Sequence, residues 1–310
     1  MGRGAKTGES MERFWTGSAS RASRRSVLAG ALALAACGRK PAATPKAAGN
    51  AKAEAPVTIA AAVAGEWRLP ADKARDAFRH PVQSLEFWGL KPGHTVVEFW
   101  PGAGWYTDIL APFLAATDGK LYAAQQELTD PNDAPGREMI EGYKRRLSEN
   151  PKLYGEVALT TFGPTSGPVA PAGTADLVLF LRNLHNWMAA GVAEKAFRDA
   201  FAALKPGGLL GLEEHRAPPG GVQDPLAADG YVQQAYAVQL AQEAGFVLDG
   251  QSEINANPKD THDHPFGVWT LPPVRRSSPR GQPDNPDFDH APYDAIGESD
   301  RMTLRFKKPV

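Results

Sequence analysis

The chain has 310 residues and a formal net charge of −1, with abundant glycine, proline and alanine and 22% charged residues. This composition excludes collagen-like, low-complexity and highly charged disordered classes and leaves a globular protein of one large or two small domains. Six basic residues against Glu9 and Glu12 give residues 1–36 a charge of +4, leaving about −5 for residues 37–310. No basic patch remains there to meet nucleic acid.

Cys37 is the only cysteine, so neither an intrachain disulfide nor a cysteine-rich zinc site can form. Ser23-Arg24-Arg25-Ser26-Val27-Leu28 sets paired arginines before an apolar run ending at Ala36. That run is too short for a membrane span, which needs roughly 20 residues, and has the length of a signal-peptide core. The arginine pair resembles a twin-arginine export signal. Leu34-Ala35-Ala36-Cys37 resembles a lipobox, which implies that Cys37 becomes a lipidated first residue holding the protein to the membrane on the periplasmic side. Residues 1–36 are thus expected to be a signal peptide. Residues 37–66, rich in Ala, Pro and Lys without period, are expected to be a flexible tether, and residues 67–310 the folded domain.

In that domain, Ala71–Phe78 and Ser84–Gly89 read as short helical pieces separated by Pro81. Thr95–Phe99 is a β-branched, apolar run of the kind found in central parallel strands. Further strands are expected at Leu121–Ala124, Val157–Thr161, Asp176–Leu181, Leu209–Glu213, Phe246–Ile254 and Met302–Phe306. Helices are expected at Trp105–Ala115, Arg137–Leu147, Val192–Leu204 and Gly230–Ala244. Residues 272–299, rich in Pro, Asp, Gly and Ser, read as an exposed excursion. The alternation predicts an α/β protein with helices on both faces of a mostly parallel sheet. Its site should lie just beyond the carboxyl ends of the strands.

The strongest local signal is Glu98-Phe99-Trp100-Pro101-Gly102-Ala103-Gly104-Trp105-Tyr106. Glycines at a strand-to-helix turn let backbone approach a ligand closely, and free N–H groups at the helix start suit an anionic group. Leu204-Lys205-Pro206-Gly207-Gly208 by itself is helix-ending punctuation. Together the two segments resemble the class I S-adenosylmethionine-dependent methyltransferase family, as does Ala175-Asp176-Leu177-Val178-Leu179, its fourth strand. Finer features resemble a subgroup of exported bacterial predicted methyltransferases. They are Arg182-Asn183-x-His185-Asn186-Trp187, Glu214-His215-Arg216-Ala217 and Ser252 to Asp260.

The resemblance implies a Rossmann-like fold with a seven-stranded sheet and an antiparallel last strand. It also implies S-adenosylmethionine as cofactor and a small-molecule methyl acceptor. Glu98, Gly102, Gly104, Gln125 and Glu127 would bind the cofactor. Two positions depart from the family pattern. Trp100 stands where the first glycine would be, without its backbone freedom. Gln125 stands near the usual acidic residue, and its amide is a weaker partner for ribose hydroxyls than a carboxylate. After the fourth strand, His185 is placed as a base acting on the acceptor. Asn183 and Asn186 would orient the acceptor, and Trp187 would cover it. The alternative for the Arg182–Trp187 segment is simple capping of the next helix. No metal site is expected: Asp260-Thr261-His262-Asp263-His264 holds ligand-type residues in a spacing that matches no strong motif. The competing function is a non-catalytic ligand-binding lipoprotein on a decayed methyltransferase fold. A Rossmann oxidoreductase is disfavoured by the glycine spacing.

Overall fold

The computed structural model describes residues 57–310. The expected signal peptide, Cys37 and most of the expected tether lie outside the described residues. Seven strands form one sheet: β1 (Thr95–Phe99), β2 (Lys120–Gln126), β3 (Val157–Phe162), β4 (Ala175–Leu181), β5 (Leu204–His215), β6 (Val247–Ser252) and β7 (Arg301–Lys307). Their order is β3-β2-β1-β4-β5-β7-β6. The β1–β2, β2–β3, β1–β4 and β4–β5 pairs are parallel, whereas β7 runs antiparallel to both β5 and β6. This is the Rossmann-like sheet with a reversed last strand that the resemblance implied.

The helices are α1 (Ile59–Ala64), α2 (Pro70–Lys73), α3 (Asp76–Arg79), α4 (Pro81–Phe87), α5 (Thr107–Ala116), α6 (Ala134–Glu149), α7 (Pro151–Tyr154), α8 (Leu184–Ala189), α9 (Ala193–Ala203), α10 (Gln234–Glu243) and α11 (Ala291–Ile296). Strand side chains alternate between faces. Val97, Phe99, Val178, Phe180, Leu210 and Leu212 therefore pack under Trp187, Phe197, Ala237 and Leu240 of α8–α10. Val96, Leu177, Leu179 and Leu181 face Ile59, Leu85, Ile109 and Phe113 of α1, α4 and α5. Both faces are covered, which is why the central strands read as unbroken apolar runs. At Gly211 a side chain would stand 2.5 Å from the Trp88 ring. Glycine there lets Trp88 lie against the sheet and donate its indole N–H to the Leu304 carbonyl at 3.1 Å.

Two expectations change. The tether was expected to run to residue 66, but α1 begins at Ile59, capped by the Thr58 hydroxyl, which accepts from Ala61 N at 3.1 Å. Ile59 and Ala62 are buried in the cluster with α5. Small alanines pack closely without producing a visible apolar period, so the composition concealed this helix. Leu204-Lys205-Pro206-Gly207-Gly208 was expected to be a turn ahead of a strand. It is an irregularity inside β5: Leu204 pairs with Ala175, and pairing resumes at Leu209 with Leu177.

Candidate functional site

Chain order reverses between β1 and β4, so the loops after these strands border the crevice where α/β sheets take ligands. The β1 loop holds three residues in the left-handed region, Trp100 (φ 44°), Gly102 (φ 59°) and Gly104 (φ 87°). At Gly104 a side chain would overlap the Arg146 guanidinium, which donates to the Ala103 carbonyl and to Asp108 at 3.0 Å. Trp100 adopts the conformation that the sequence reading reserved for glycine. Such a conformation costs a non-glycine residue of order 1–3 kcal/mol. Here it is held by Trp100 N donating to Ala124 O (2.8 Å), by its indole N–H donating to Phe162 O (2.9 Å) and by an edge contact with Trp187.

Glu98, at the end of β1, is buried and accepts from the Thr107 hydroxyl at 2.7 Å; that hydroxyl lies 3.1 Å from the Tyr143 hydroxyl. Burial raises the Glu98 pKa to about 7 against the hydrogen bond from Thr107. The carboxyl thus ties the end of β1 to the first turn of α5. On β2, Gln125 is buried, and neither atom of its side-chain amide has a partner among the described residues. A buried amide in that state is costly unless something else satisfies it. Glu127, two residues on, is committed to a turn. Its carboxylate accepts from Thr165 N at 2.9 Å and from the Thr165 hydroxyl.

After β4, Asn183 donates to Trp100 O at 3.1 Å and to Leu181 O at 3.2 Å, joining the two loops across the switch point. His185 Nδ1 lies 2.8 Å from Glu214 Oε1 on β5. That carboxylate also accepts from the backbone N–H groups of Leu184 (2.6 Å), His185 (3.3 Å) and His215 (2.8 Å). The imidazole is therefore fixed at one nitrogen, and Nε2 has no hydrogen-bond partner among the described residues. The His215 ring lies tilted at 5.2 Å from His185, and its Nδ1 meets the Ser299 hydroxyl at 2.5 Å. Burial, reinforced by His185, Arg301 and Arg182, pushes the His215 pKa well down. Trp269, from the turn Gly267–Thr270, makes an edge contact with His185 at 5.9 Å.

Asn186 keeps a buried Oδ1 without a partner among the described residues. Trp187, expected as a cover for the acceptor, lies in the core instead. It is fully buried against Phe99, Phe162 and Phe180. Truncating such a residue costs about 3–5 kcal/mol in folding.

His185, Glu214 and His215 bring ligand-type atoms within 4.8 Å of one another, close enough to share a metal ion. Yet the Glu214 oxygens are already taken by backbone N–H groups, and the Arg182 and Arg301 charges that act on His215 oppose a further cation. The arrangement is that of a hydrogen-bonded dyad. Asp260, from the other ligand-like segment, accepts from the Tyr231 hydroxyl (2.9 Å), His262 N (3.0 Å) and Asp300 N (2.7 Å), with His264 Nε2 at 2.7 Å. It serves as a brace for the segment leading into β7.

The sequence reading missed a set of residues beside the crevice: Arg75 and Arg79 of the N-terminal helical pieces, with Glu298 and Arg301 at the start of β7. Arg75 Nε donates to Glu298 at 2.6 Å and Arg79 Nε at 3.1 Å. The available signals were the four-residue spacing of the arginines and the three-residue spacing of Glu298 and Arg301. Each is common on any charged surface.

No protein-family model matches the chain, and no curated protein matches it. Among solved structures it is similar to a SAM-dependent methyltransferase from Aquifex aeolicus, at 19% identity over 59% of this chain and 87% of that one, with a TM-score of 0.45. It is also similar to the cyclase SpnF (17% identity, 80% and 85% covered, TM-score 0.49). A third is the phosphoethanolamine N-methyltransferase 2 of Haemonchus contortus, solved with S-adenosyl-L-methionine (13% identity, 75% and 53% covered, TM-score 0.45). At such identities the likeness is one of fold.

Proposed function

We propose that this protein is an S-adenosylmethionine-dependent methyltransferase acting on a small-molecule acceptor. The observation that carries the reading is Gln125. Its buried amide lacks a partner among the described residues, and it lies on β2 beside a left-handed glycine loop, at the same edge of the sheet as the His185–Glu214 dyad. A ribose diol both donates and accepts hydrogen bonds, as the two Gln125 atoms require. The chain's residues thus fit the cofactor. Backbone at Gly102–Gly104 would approach it, Gln125 would hold its hydroxyls, and Glu98 would brace the loop. Bound there, S-adenosylmethionine supplies an electrophilic methyl group on a sulfonium.

The remaining work falls to the acceptor side. Glu214 holds the imidazole by Nδ1, so that Nε2 can take a proton from an acceptor that must lose one. Trp269 and His215 flank the imidazole and limit water. Asn186 offers an oxygen unpartnered among the described residues to position the acceptor. The reading is tested by mass spectrometry of the supernatant from denatured, freshly purified protein. Retained S-adenosylmethionine or S-adenosylhomocysteine is expected. Calorimetry with S-adenosylhomocysteine should show affinity lost in Gly102→Val, which places a β-branched side chain at φ 59°, while circular dichroism stays native.

One observation favours a second reading, a non-catalytic binding protein on the same fold. Trp100 fills the first-glycine position and is bonded and packed there. No binding of S-adenosylhomocysteine by the folded wild type would select it. The twin-arginine-like and lipobox-like segments support export and anchoring at Cys37. Because free S-adenosylmethionine is not expected outside the cytoplasm, export after folding would carry cofactor already bound.

A further inference from the structure

Four guanidinium groups and two carboxylates meet at the edge of the crevice. Glu298 receives Arg75, Arg79 and Arg301, the last at 2.8 Å. Glu213 receives Arg182 at 2.9 Å and lies 3.2 Å from Arg301. The Arg79 and Arg301 side chains are buried, and those of Arg75 and Arg182 retain 24% and 15% of their exposure. Two carboxylates thus face four cations, an excess of two positive charges in a largely dry setting. Glu98 feels Arg182 but pairs with none of the four, and burial holds its carboxyl near half-protonation at neutral pH.

Much of the donor capacity is unused. Arg75 and Arg79 each bond the carboxylate through Nε alone, and Arg182 bonds through Nη1 alone. Among the described residues, the Nη groups of Arg75 and Arg79 and the Nε and Nη2 of Arg182 have no hydrogen-bond partner. Each of the four guanidinium groups has a carboxylate within 3.2 Å, so what the cluster offers is surplus charge and free donors shared over two acids, and guanidinium forks match planar or tetrahedral oxyanions. The position is equally specific. Arg182 begins the segment that carries Asn183 and His185, and His215, its ring 5.2 Å from that of His185, lies in the field of Arg182 and Arg301.

We infer that this arginine cluster is the binding site for an oxyanion, a carboxylate or phosphate borne by the ligand that enters the crevice. Resting on the methyltransferase reading, the inference makes the bearer either an acidic acceptor or the aminoacyl end of the cofactor. The two sources share one chemistry and can be separated by experiment.

The full chain is titrated with inorganic phosphate and with acetate at constant ionic strength. Tryptophan fluorescence is followed, because the Arg79 guanidinium lies 4.7 Å from the Trp105 ring. A saturable change is expected. Arg75→Gln, at the most exposed member, should weaken it by about tenfold or more, the scale of a lost charge-assisted bond. Glu298→Gln, which raises the excess charge, should tighten it. These opposite directions are not expected of a merely structural network, and circular dichroism checks the fold of each variant.

Competition separates the sources. If S-adenosylhomocysteine displaces phosphate, and Arg75→Gln weakens it but not 5′-methylthioadenosine, the anion belongs to the cofactor. Simultaneous binding of phosphate and S-adenosylhomocysteine assigns it to the acceptor. Phosphate binding by a wild type that takes neither nucleoside keeps the anion site and removes the methyltransferase reading. No saturable response, or equal affinity in wild type and both variants, overturns the anion site.

Discussion

The His185 imidazole and the Glu214 carboxylate form one unit: Nδ1 and Oε1 are 2.8 Å apart, and the same carboxylate receives the backbone N–H groups of Leu184, His185 and His215. The glutamate therefore both builds the start of α8 and aims the ring. His185→Ala should leave S-adenosylhomocysteine affinity near wild type and lower turnover by roughly 10²–10⁴, the usual contribution of a general base. Calorimetry checks the first half, and a methyl-transfer assay with an identified acceptor checks the second. Loss of cofactor binding in His185→Ala would move the histidine to the cofactor side.

Gln125→Leu separates ligand binding from folding. Leucine has similar bulk and no polar atoms to leave unsatisfied. The ligand-free variant should therefore be more stable than wild type, by up to about 1–3 kcal/mol, the cost of a buried unpaired polar group. S-adenosylhomocysteine affinity should fall by about tenfold, or 1.4 kcal/mol. Thermal melts with and without ligand read both effects. A destabilised ligand-free variant would mean that the amide already has a partner.

Glu98 makes stability depend on pH. Its folded pKa is raised from 4.5 to about 7, so the native state binds more protons than the unfolded chain between those values. Stability from this group is therefore full below about pH 4.5 and declines as pH rises toward 7. Glu98→Gln keeps an oxygen for the Thr107 hydroxyl and removes the titration. Urea unfolding should show the two proteins diverging across that window. The glutamine variant should be the more stable above pH 7, by about 3 kcal/mol at 1.36 kcal/mol per pKa unit. Parallel pH profiles would contradict the burial of a titrating carboxyl.

Cys37 should carry lipid. Expression with a labelled fatty acid is expected to label the wild type and leave Cys37→Ser unlabelled and released from membranes. Equal labelling of both, or an uncleaved soluble wild type, would remove the anchor.

The sheet was legible because buried parallel strands demand apolar, β-branched runs: Thr95–Phe99 and Ala175–Leu181 allow little else. The β1 loop was legible because Gly102 and Gly104 stand where a side chain would collide or strain. The reading failed where chemistry depends on rotation rather than composition. His185 and Trp187 are two residues apart on α8, about 200° around a helix. One borders the crevice, and the other lies in the aromatic core. It failed again where partners are far apart along the chain, because nothing near Arg75 or Arg79 announces Glu298.

That separation has a temporal consequence. Arg75 and Arg79 meet a carboxylate 223 and 219 positions later, and Arg301 reaches back to the carbonyl of Phe78. As the ribosome delivers the chain from its amino end, these guanidinium groups emerge long before Glu298, and until then they have no such partner. A nascent or prematurely terminated polypeptide that ends before Glu298 cannot build this network. The network closes only once the reversed strand β7 has been inserted between β5 and β6. Chains stopped before residue 298 should therefore keep at most the Arg182–Glu213 pair of the cluster.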